Sequence, residues 1–208
     1  MNKFFITLFY FLFSTICICQ NFHGGIIVGA STSQVSGDGL SGFNKIGPRF
    51  GIYINQQIDW YGVQLELQYI TKGSKKKTNS SNPNDNNNNL SFYSFNNYNF
   101  HLEYVGVPIL FFSKIRKNIK LELGTSFNFI IKQSEEIDFY LDSSNEVHNF
   151  EADIILGITY PINNKILLNT RISNSISPIR PHASGETYRL NRGQYNTVLC
   201  FNLYYKLY

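Results

Sequence analysis

The chain has 208 residues and a formal net charge of +4, and only 15% of its residues are charged. This length is compatible with one domain, and so mild a charge does not indicate a nucleic-acid partner. Aromatic residues make up 16% of the sequence, so the chain can bury a large apolar surface, and its composition excludes wholesale disorder.

The N-terminal segment has the pattern of a secretory signal peptide. A lysine precedes a short apolar run, and Cys17 and Cys19 supply the small residues that precede a cleavage site. The sequence therefore predicts a cleaved signal peptide over residues 1–19 and a mature domain over 20–208. A retained signal anchor is the alternative, although the apolar run is short for a membrane span. Cys200 remains as a single cysteine after cleavage, so no intrachain disulfide is expected.

Eight segments after residue 20 alternate between apolar and polar residues with the two-residue period of a β-strand. In the stretch GVQLELQY, for example, Leu65 and Leu67 lie on one side of a strand and Glu66 lies on the other. The predicted strands span residues 23–35, 46–55, 62–72, 98–112, 119–131, 149–160, 166–175 and 195–207.

The connections between these strands alternate in length, at about 10, 6, 25, 6, 17, 5 and 19 residues. In an up-and-down barrel every second connection lies at the same rim, so short turns share one end and long loops the other. No apolar run after residue 20 reaches the roughly 20 residues of a transmembrane helix. We therefore predict an all-β fold, an eight-stranded antiparallel up-and-down transmembrane β-barrel with its apolar face toward lipid. A soluble, lipocalin-like barrel with an apolar interior is the alternative fold.

Aromatic residues fall near both ends of the predicted strands. A membrane barrel carries two girdles of such residues, one at each membrane interface. The candidate interfacial aromatics are Trp60, Tyr61, Tyr69, Tyr98, Tyr160, Tyr195 and Tyr205.

Three segments resemble the PorT-like family of outer-membrane β-barrel proteins: LELQYITKGSKKK, LEYVGVPILFF and KLELGTSFNFII. The family pattern maps to the strand exit at residues 71–73, to the strand over 104–110 and to the central Gly124. The resemblance implies an eight-stranded barrel in the outer membrane of a diderm (Gram-negative) bacterium, without catalytic residues. The member that gives the family its name serves protein secretion.

If the apolar face meets lipid, the polar face points into the lumen. Eight strands leave an interior just wide enough for side chains to fill, and charges buried there must pair. A salt-bridge plug that closes the barrel is one interpretation, and a narrow gated conduit through the same residues is the other. The candidate charge network comprises Arg49, Glu66, Glu103, Lys120, Glu122, Asp153 and Arg171, with His101 nearby.

A rim-site enzyme is a rival class of function. His148 shares a predicted loop with Asp142 and Ser144, and His182 shares another with Ser184. Neither spacing dictates a nucleophile, a base and an orienting group, and no His, Cys, Asp or Glu cluster has metal-ligand spacing. We therefore predict no catalytic residue, no metal and no cofactor.

Four lysines mark the exit of the third strand: Lys72, Lys75, Lys76 and Lys77. They are candidates for contact with lipopolysaccharide phosphates through point-charge pairing. A solvated loop base without a ligand is the alternative.

These features predict a non-enzymatic outer-membrane protein with a structural or surface-recognition role through its extracellular loops. An accessory role in protein secretion and a narrow pore are the alternatives. The expected partners are outer-membrane lipids including lipopolysaccharide, the barrel-assembly machinery during insertion and, for the secretion alternative, secretion-system proteins.

Overall fold

The computed structural model describes residues 22–38, 40, 42–77, 97–115, 119–138, 140–141, 147–181 and 193–207. The predicted signal peptide over residues 1–19 lies outside these ranges. Within them, no helix is long enough and apolar enough to span a membrane. The strands are β1 (Phe22–Ser36), β2 (Lys45–Ile58), β3 (Tyr61–Lys77), β4 (Asn97–Lys114), β5 (Lys120–Ile137), β6 (Tyr140–Leu141), β7 (Phe150–Pro161), β8 (Ile166–Ser175) and β9 (Tyr195–Lys206).

The sheet closes on itself. Consecutive long strands pair antiparallel, and β1 pairs with β9 over twelve residue pairs from Gly25↔Lys206 to Ser36↔Tyr195. The two residues of β6 pair only with the end of β5, so the described strands form a ring of eight. This ring confirms the predicted eight-stranded, up-and-down barrel. The largest difference in strand limits is at β5, which continues to Ile137 instead of ending at residue 131.

The outer face of the barrel is apolar. Leu65 and Leu67 are 45% and 49% exposed, whereas Gln64, Glu66 and Gln68 between them are buried in the interior. The same alternation holds on the other strands, where Ile52, Leu123, Leu156 and Leu203 are each at least half exposed. The lipocalin-like alternative is therefore wrong, because a band of exposed apolar residues covers the outside of the ring and polar residues such as Glu66 occupy the middle of its interior.

The connections sort by length onto the two ends of the barrel. The short ones, over residues 59–60, 115–119 and 162–165, lie at what we call the lower end. The strand ends that flank the longer ones, over 37–44, 78–96, 138–149 and 176–194, lie at the upper end, as predicted. Asp59 has a φ of 50°, which allows the tightest of the lower turns to close in two residues.

The upper part of β3 crosses the interior toward β1. Its pairing with β2 ends at Ile70, and the hydroxyls of Ser31 and Ser33 donate to the carbonyl oxygens of Thr71 and Gly73 at 2.7 and 2.9 Å. Gly73 has a φ of 133°, and a Cβ at this position would clash with the Phe100 carbonyl oxygen. Glycine is required there because the β3–β4 hairpin bends inward over the upper mouth.

A β-bulge in β5 changes which residues face the interior. Tyr104 of β4 pairs with Ile130, but Glu103 pairs with Lys132, so Ile131 is an extra residue on β5. One added residue exchanges the two faces of a strand beyond that point. Glu135 consequently turns inward, where its side chain is buried.

The upper half of the interior is packed with apolar side chains. Phe100, Leu102 and Tyr104 of β4 are at most 1% exposed. We call the whole set the upper cluster: Val35, Ile70, Tyr98, Phe100, Leu102, Tyr104, Val147, Ile179, Val198 and Cys200. Because Val147 and Ile179 belong to the upper loops, two loop bases also pack into the barrel.

Candidate functional site: the barrel interior

Glu66 lies in the middle of the interior and is 2% exposed. Its carboxylate accepts a hydrogen bond from Nη2 of Arg49 at 2.9 Å and two from Arg171, at 2.8 and 2.9 Å. Gln64 and Tyr204 donate to its Oε1 atom at 2.6 and 2.9 Å. A buried carboxylate is tolerated when it is paired and its lone pairs are satisfied in this way.

Glu122 shares Arg171 with Glu66. Nε of Arg171 donates to Oε2 of Glu122 at 2.8 Å, and Asn169 donates to the same oxygen at 3.0 Å. Thr159 donates to Oε1 at 2.5 Å. We call Arg49, Glu66, Glu122 and Arg171 the central network. Its two positive and two negative charges cancel.

Lys72 forms a second ionic site above the central network. Its ammonium lies 2.6 Å from Asp153 and 3.1 Å from Glu151, and its side chain is 1% exposed. Asn128 donates to Asp153 at 2.9 Å, and Asn196 donates to both oxygens of Glu151 at 3.0 and 3.1 Å. One ammonium thus joins two carboxylates that come from the inner face of β7.

Arg180 lies at the upper mouth, at the base of the last long loop. Its guanidinium forms a bidentate pair with Glu135, at 2.6 and 3.0 Å, and donates to the Tyr98 hydroxyl at 3.1 Å. The same group lies 4.3 Å from the centroid of the Phe100 ring, and its Nε donates to Gln194 at 2.6 Å. These contacts fix the described base of this loop at the upper end of the barrel.

Asp38 lies in the first upper loop and is 8% exposed. Burial raises the pKa of this carboxyl, against the opposing effects of the hydrogen bond from the Leu40 amide and of the Arg180 charge. The carboxylate therefore lies near Arg180, but burial makes its ionised form less favourable than it would be in water.

The structure brings together four residues of the predicted charge network and separates the other three. Asp153 belongs to the Lys72 site. Lys120 lies at the lower mouth, with its ammonium 4.3 Å from the centroid of the Phe112 ring. The placement of Glu103 in the lumen was wrong, because this side chain lies on the outer face and contacts Tyr69 at 2.9 Å and His101 at 3.0 Å.

The proposed lipopolysaccharide contact was wrong for Lys72, which is buried in the interior. Lys75 is exposed, and Lys76 is partly exposed beside it. The side chain of Lys77 lies outside the described part of the chain. The candidate lipid contact is thereby reduced to the end of β3.

The predicted interfacial aromatics divide into two groups. Trp60 and Tyr160 are 60% and 53% exposed at the lower end, Tyr205 is 40% exposed there, and Tyr61 and Tyr69 are partly exposed. The prediction was wrong for the remaining two: Tyr98 points into the upper cluster, and Tyr195 is 2% exposed.

Sequence reasoning missed Lys72, Glu135, Glu151 and Arg180 as interior charges. Lys72 and Glu151 carried a usable signal, because Lys72 has the same parity as Glu66 on β3 and Glu151 has that of Asp153 on β7. Glu135 lies beyond the bulge and Arg180 lies in a loop, so alternation gave no information on either.

In the middle and upper parts of the described interior, buried cations form ion pairs with buried carboxylates. Among those residues, no group of His, Cys, Asp and Glu could hold a metal ion. His148 contacts the Pro178 carbonyl oxygen at 2.9 Å. The other loop residues that were considered for a rim-site enzyme lie outside the described ranges: Asp142, Ser144, His182 and Ser184.

Comparison with known proteins places this barrel in a family. The family model described as "Outer membrane protein beta-barrel domain" matches residues 20–180. No curated protein sequence matches the chain. The structure is similar to Neisserial surface protein A (NspA), with 14% identity and a TM-score of 0.52 over 89% of this chain and 97% of that one. It is also similar to Ail, the attachment invasion locus protein of Yersinia pestis, solved with the heparin analogue sucrose octasulfate.

The likeness to Ail has a TM-score of 0.50 at 11% identity and covers 90% of this chain and 99% of that one. At such low identity, both solved structures support the fold alone. The family match covers well over half of the chain and agrees with the closed ring and its apolar outer face. The chain therefore belongs to the outer membrane protein beta-barrel domain family and is a β-barrel of the Gram-negative outer membrane.

Proposed function

We propose that this protein is a closed, non-enzymatic barrel that acts at the cell surface through its long upper loops, which are the extracellular loops in this orientation. The observation that carries the proposal is the upper cluster, in which Leu102 and Tyr104 are 0% exposed at the level of the mouth. A dry apolar layer across an eight-stranded barrel leaves no water-filled path for a solute.

The ionic sites below this layer also favour a closed lumen. An ion that crossed the barrel would have to separate Glu66 from Arg49 and Arg171, and then Lys72 from Glu151 and Asp153. Breaking a buried pair exposes uncompensated charge in a poorly solvated interior, which makes each step unfavourable. The narrow-pore alternative gains no support from this arrangement.

Anchored loop bases favour a recognition role. The backbone amide of His148 donates to the Ile179 carbonyl oxygen at 2.8 Å, which connects the third upper loop to the fourth. Gln133 of β5 accepts a hydrogen bond from the Val147 amide at 3.3 Å. Loops that are held at their bases lose less conformational entropy when they bind a partner.

Export and lipid contact complete the proposal. The signal peptide over residues 1–19 would direct export, and the barrel-assembly machinery would insert the chain. The exposed Lys75, with Lys76 beside it, would contact lipopolysaccharide phosphates at the outer leaflet. The finer assignment to the PorT-like family, and with it a secretion role, rests on the sequence resemblance alone.

Conductance tests whether the barrel is closed. Purified protein is inserted into planar bilayers, and its folded state is checked by the shift in gel mobility between boiled and unboiled samples. We expect a silent bilayer. Regular single-channel steps from the folded protein would overturn the closed-barrel proposal.

Epitope accessibility tests the surface role. A short epitope inserted within residues 84–88 is expected to be labelled by antibody on intact cells. The matched control carries the same epitope between Asn163 and Asn164 of a lower turn, and it should be labelled only after the outer membrane is permeabilised. The reverse pattern would place the long loops in the periplasm and contradict the proposal.

A further inference from the structure

The lower mouth contains a cavity of about 330 Å³, which we call the lower cup. Its walls come from seven of the eight strands in the ring and from the turn over residues 162–165. In the proposed orientation this cup faces the periplasm. Its volume is at the lower end of the range for small-molecule sites, about 300–1,000 Å³.

The lower cup is lined by three lysines and a histidine: Lys114, Lys120, Lys206 and His23. None of its described lining residues is acidic. Lys114 and Lys120 are directly opposite each other on paired strands. Lys206 also repels the charge of Lys120, whereas Glu122, above the cup, attracts it. Like charges at opposed positions of a sheet are unfavourable, so this arrangement calls for a counter-anion.

A second observation points to a ligand in the same place. Tyr53 and Asn55 line the cup and are each 4% exposed. The Tyr53 hydroxyl and the Oδ1 atom of Asn55 are buried without a hydrogen-bond partner among the described residues. Buried polar atoms are almost always satisfied, so an unpartnered donor and an unpartnered acceptor on residues that line the same cavity as three lysines need an explanation.

We propose that the lower cup binds a small periplasmic oxyanion of the phosphate class. Phosphate at neutral pH carries one to two negative charges, which suits the cluster formed by Lys114, Lys120 and Lys206. Tyr53 would donate a hydrogen bond from its hydroxyl to a phosphate oxygen. Asn55 would accept a hydrogen bond from the protonated phosphate oxygen, a donor that a fully ionised carboxylate lacks.

The test measures the binding of inorganic phosphate to the full-length mature barrel in non-ionic detergent at pH 7, by titration calorimetry. Sodium chloride holds the ionic strength constant. The double variant Lys114→Gln/Lys120→Gln is expected to bind at least about tenfold more weakly than the wild type. Lys165→Gln is the matched control, because Lys165 is exposed on the same rim outside the cup, and it should change affinity by less than about twofold.

A second variant separates binding from folding. Tyr53→Phe keeps the ring and its packing against Tyr204 but removes the donor, and it is expected to weaken phosphate binding about three- to tenfold. Each variant is first checked for the heat-dependent gel shift of a folded barrel. Equal weakening by Lys165→Gln, or unchanged binding in both cup variants, would overturn the proposal.

Further titrations distinguish the source and the class of the anion. Tighter binding of sn-glycerol 3-phosphate than of inorganic phosphate would support a phosphate site that takes a lipid headgroup. Stronger binding of inorganic phosphate would support a free periplasmic anion. Binding of citrate but of neither phosphate compound would show that the assignment to the phosphate class is wrong.

Discussion

The two ends of the barrel interior differ in how their charges are arranged: those at the upper end form ion pairs, and those in the lower cup do not. In the upper half, Arg180 is paired with Glu135 above the upper cluster, and Lys72 is paired with Glu151 and Asp153 below it. In the lower cup, Lys114 faces Lys120 across a strand pair, and no described acid forms an ion pair with either.

This difference separates an end whose charges are paired from an end where we propose that a small anion binds. Paired charges and the upper cluster hold the described loop bases at the upper end of the interior. Unpaired charges around a cavity weaken the fold unless something else occupies the cavity, so they are expected where a ligand binds. In the proposed orientation, the upper end would hold fixed loop bases at the cell surface and the lower cup would face the periplasm.

The largest effect is expected in the central network, whose buried charges are paired like those of the upper half. Glu66→Gln leaves Arg49 and Arg171 buried with one fewer counter-charge, and the free energy of unfolding should fall by about 3–5 kcal/mol. The measurement is guanidinium-induced unfolding in detergent micelles, followed by the fluorescence of Trp60, the single tryptophan.

Glu103→Gln is the matched control for this prediction. It makes the same chemical change on the outer face, beside the exposed Lys132, and should alter stability by less than about 1 kcal/mol. Equal losses for the two variants would mean that the central network contributes no more than an outer ion pair.

The upper cluster gives the next largest effect. Leu102→Ala leaves a cavity in a layer where the side chain is 0% exposed, and it should cost about 2–4 kcal/mol in the same unfolding measurement. Leu65→Ala removes the same atoms from the outer face, where detergent or lipid fills the space, so its cost should be clearly smaller. A larger loss for Leu65→Ala than for Leu102→Ala would contradict the burial of Leu102 inside the barrel.

The lower cup predicts a change of opposite sign. Lys114→Gln removes a repulsion with Lys120 and should raise the unfolding free energy by about 0.5 kcal/mol at low ionic strength. The gain should shrink as salt is added, because salt screens the same repulsion. Destabilisation by Lys114→Gln would show that an acid outside the described residues already neutralises this lysine.

The alternation of residues explains why most of the barrel could be predicted. A period of two placed Leu65 outside and Glu66 inside, and it gave the limits of β8 without error. It failed for Glu103, because Leu102 and Val105 make both faces of β4 apolar and the parity ambiguous. Lys72 was mistaken for a rim residue because the predicted strand ended there, whereas β3 continues for five more residues to Lys77.

The upper mouth could not be predicted for a different reason. Its Arg180–Glu135 pair depends on an extra residue at Ile131 and on a loop that folds back, and neither feature has a periodic signal. Alternation reports only on regular pairing, so contacts made by bulges and loops require the folded structure.

The smallest effect is expected at Asp38, on the edge of the upper mouth. Burial raises its pKa, so the ionised form is less stable in the folded protein than in the unfolded one. This penalty is absent in acid below the ordinary pKa of 3.8, grows as the pH rises through the raised pKa, and is fully present at neutral pH. Asp38→Asn keeps the acceptor for the Leu40 amide and removes the charge.

The variant should therefore be more stable than the wild type at pH 7, by at most a few tenths of a kcal/mol, and indistinguishable from it at pH 3. The measurement is the difference between the two unfolding free energies as a function of pH, which cancels the titration of the other carboxyl groups. A variant that is less stable at pH 7 would show that attraction to Arg180 outweighs burial. In that case the Asp38 carboxylate would stabilise the upper mouth through its attraction to Arg180, in addition to the Arg180–Glu135 ion pair.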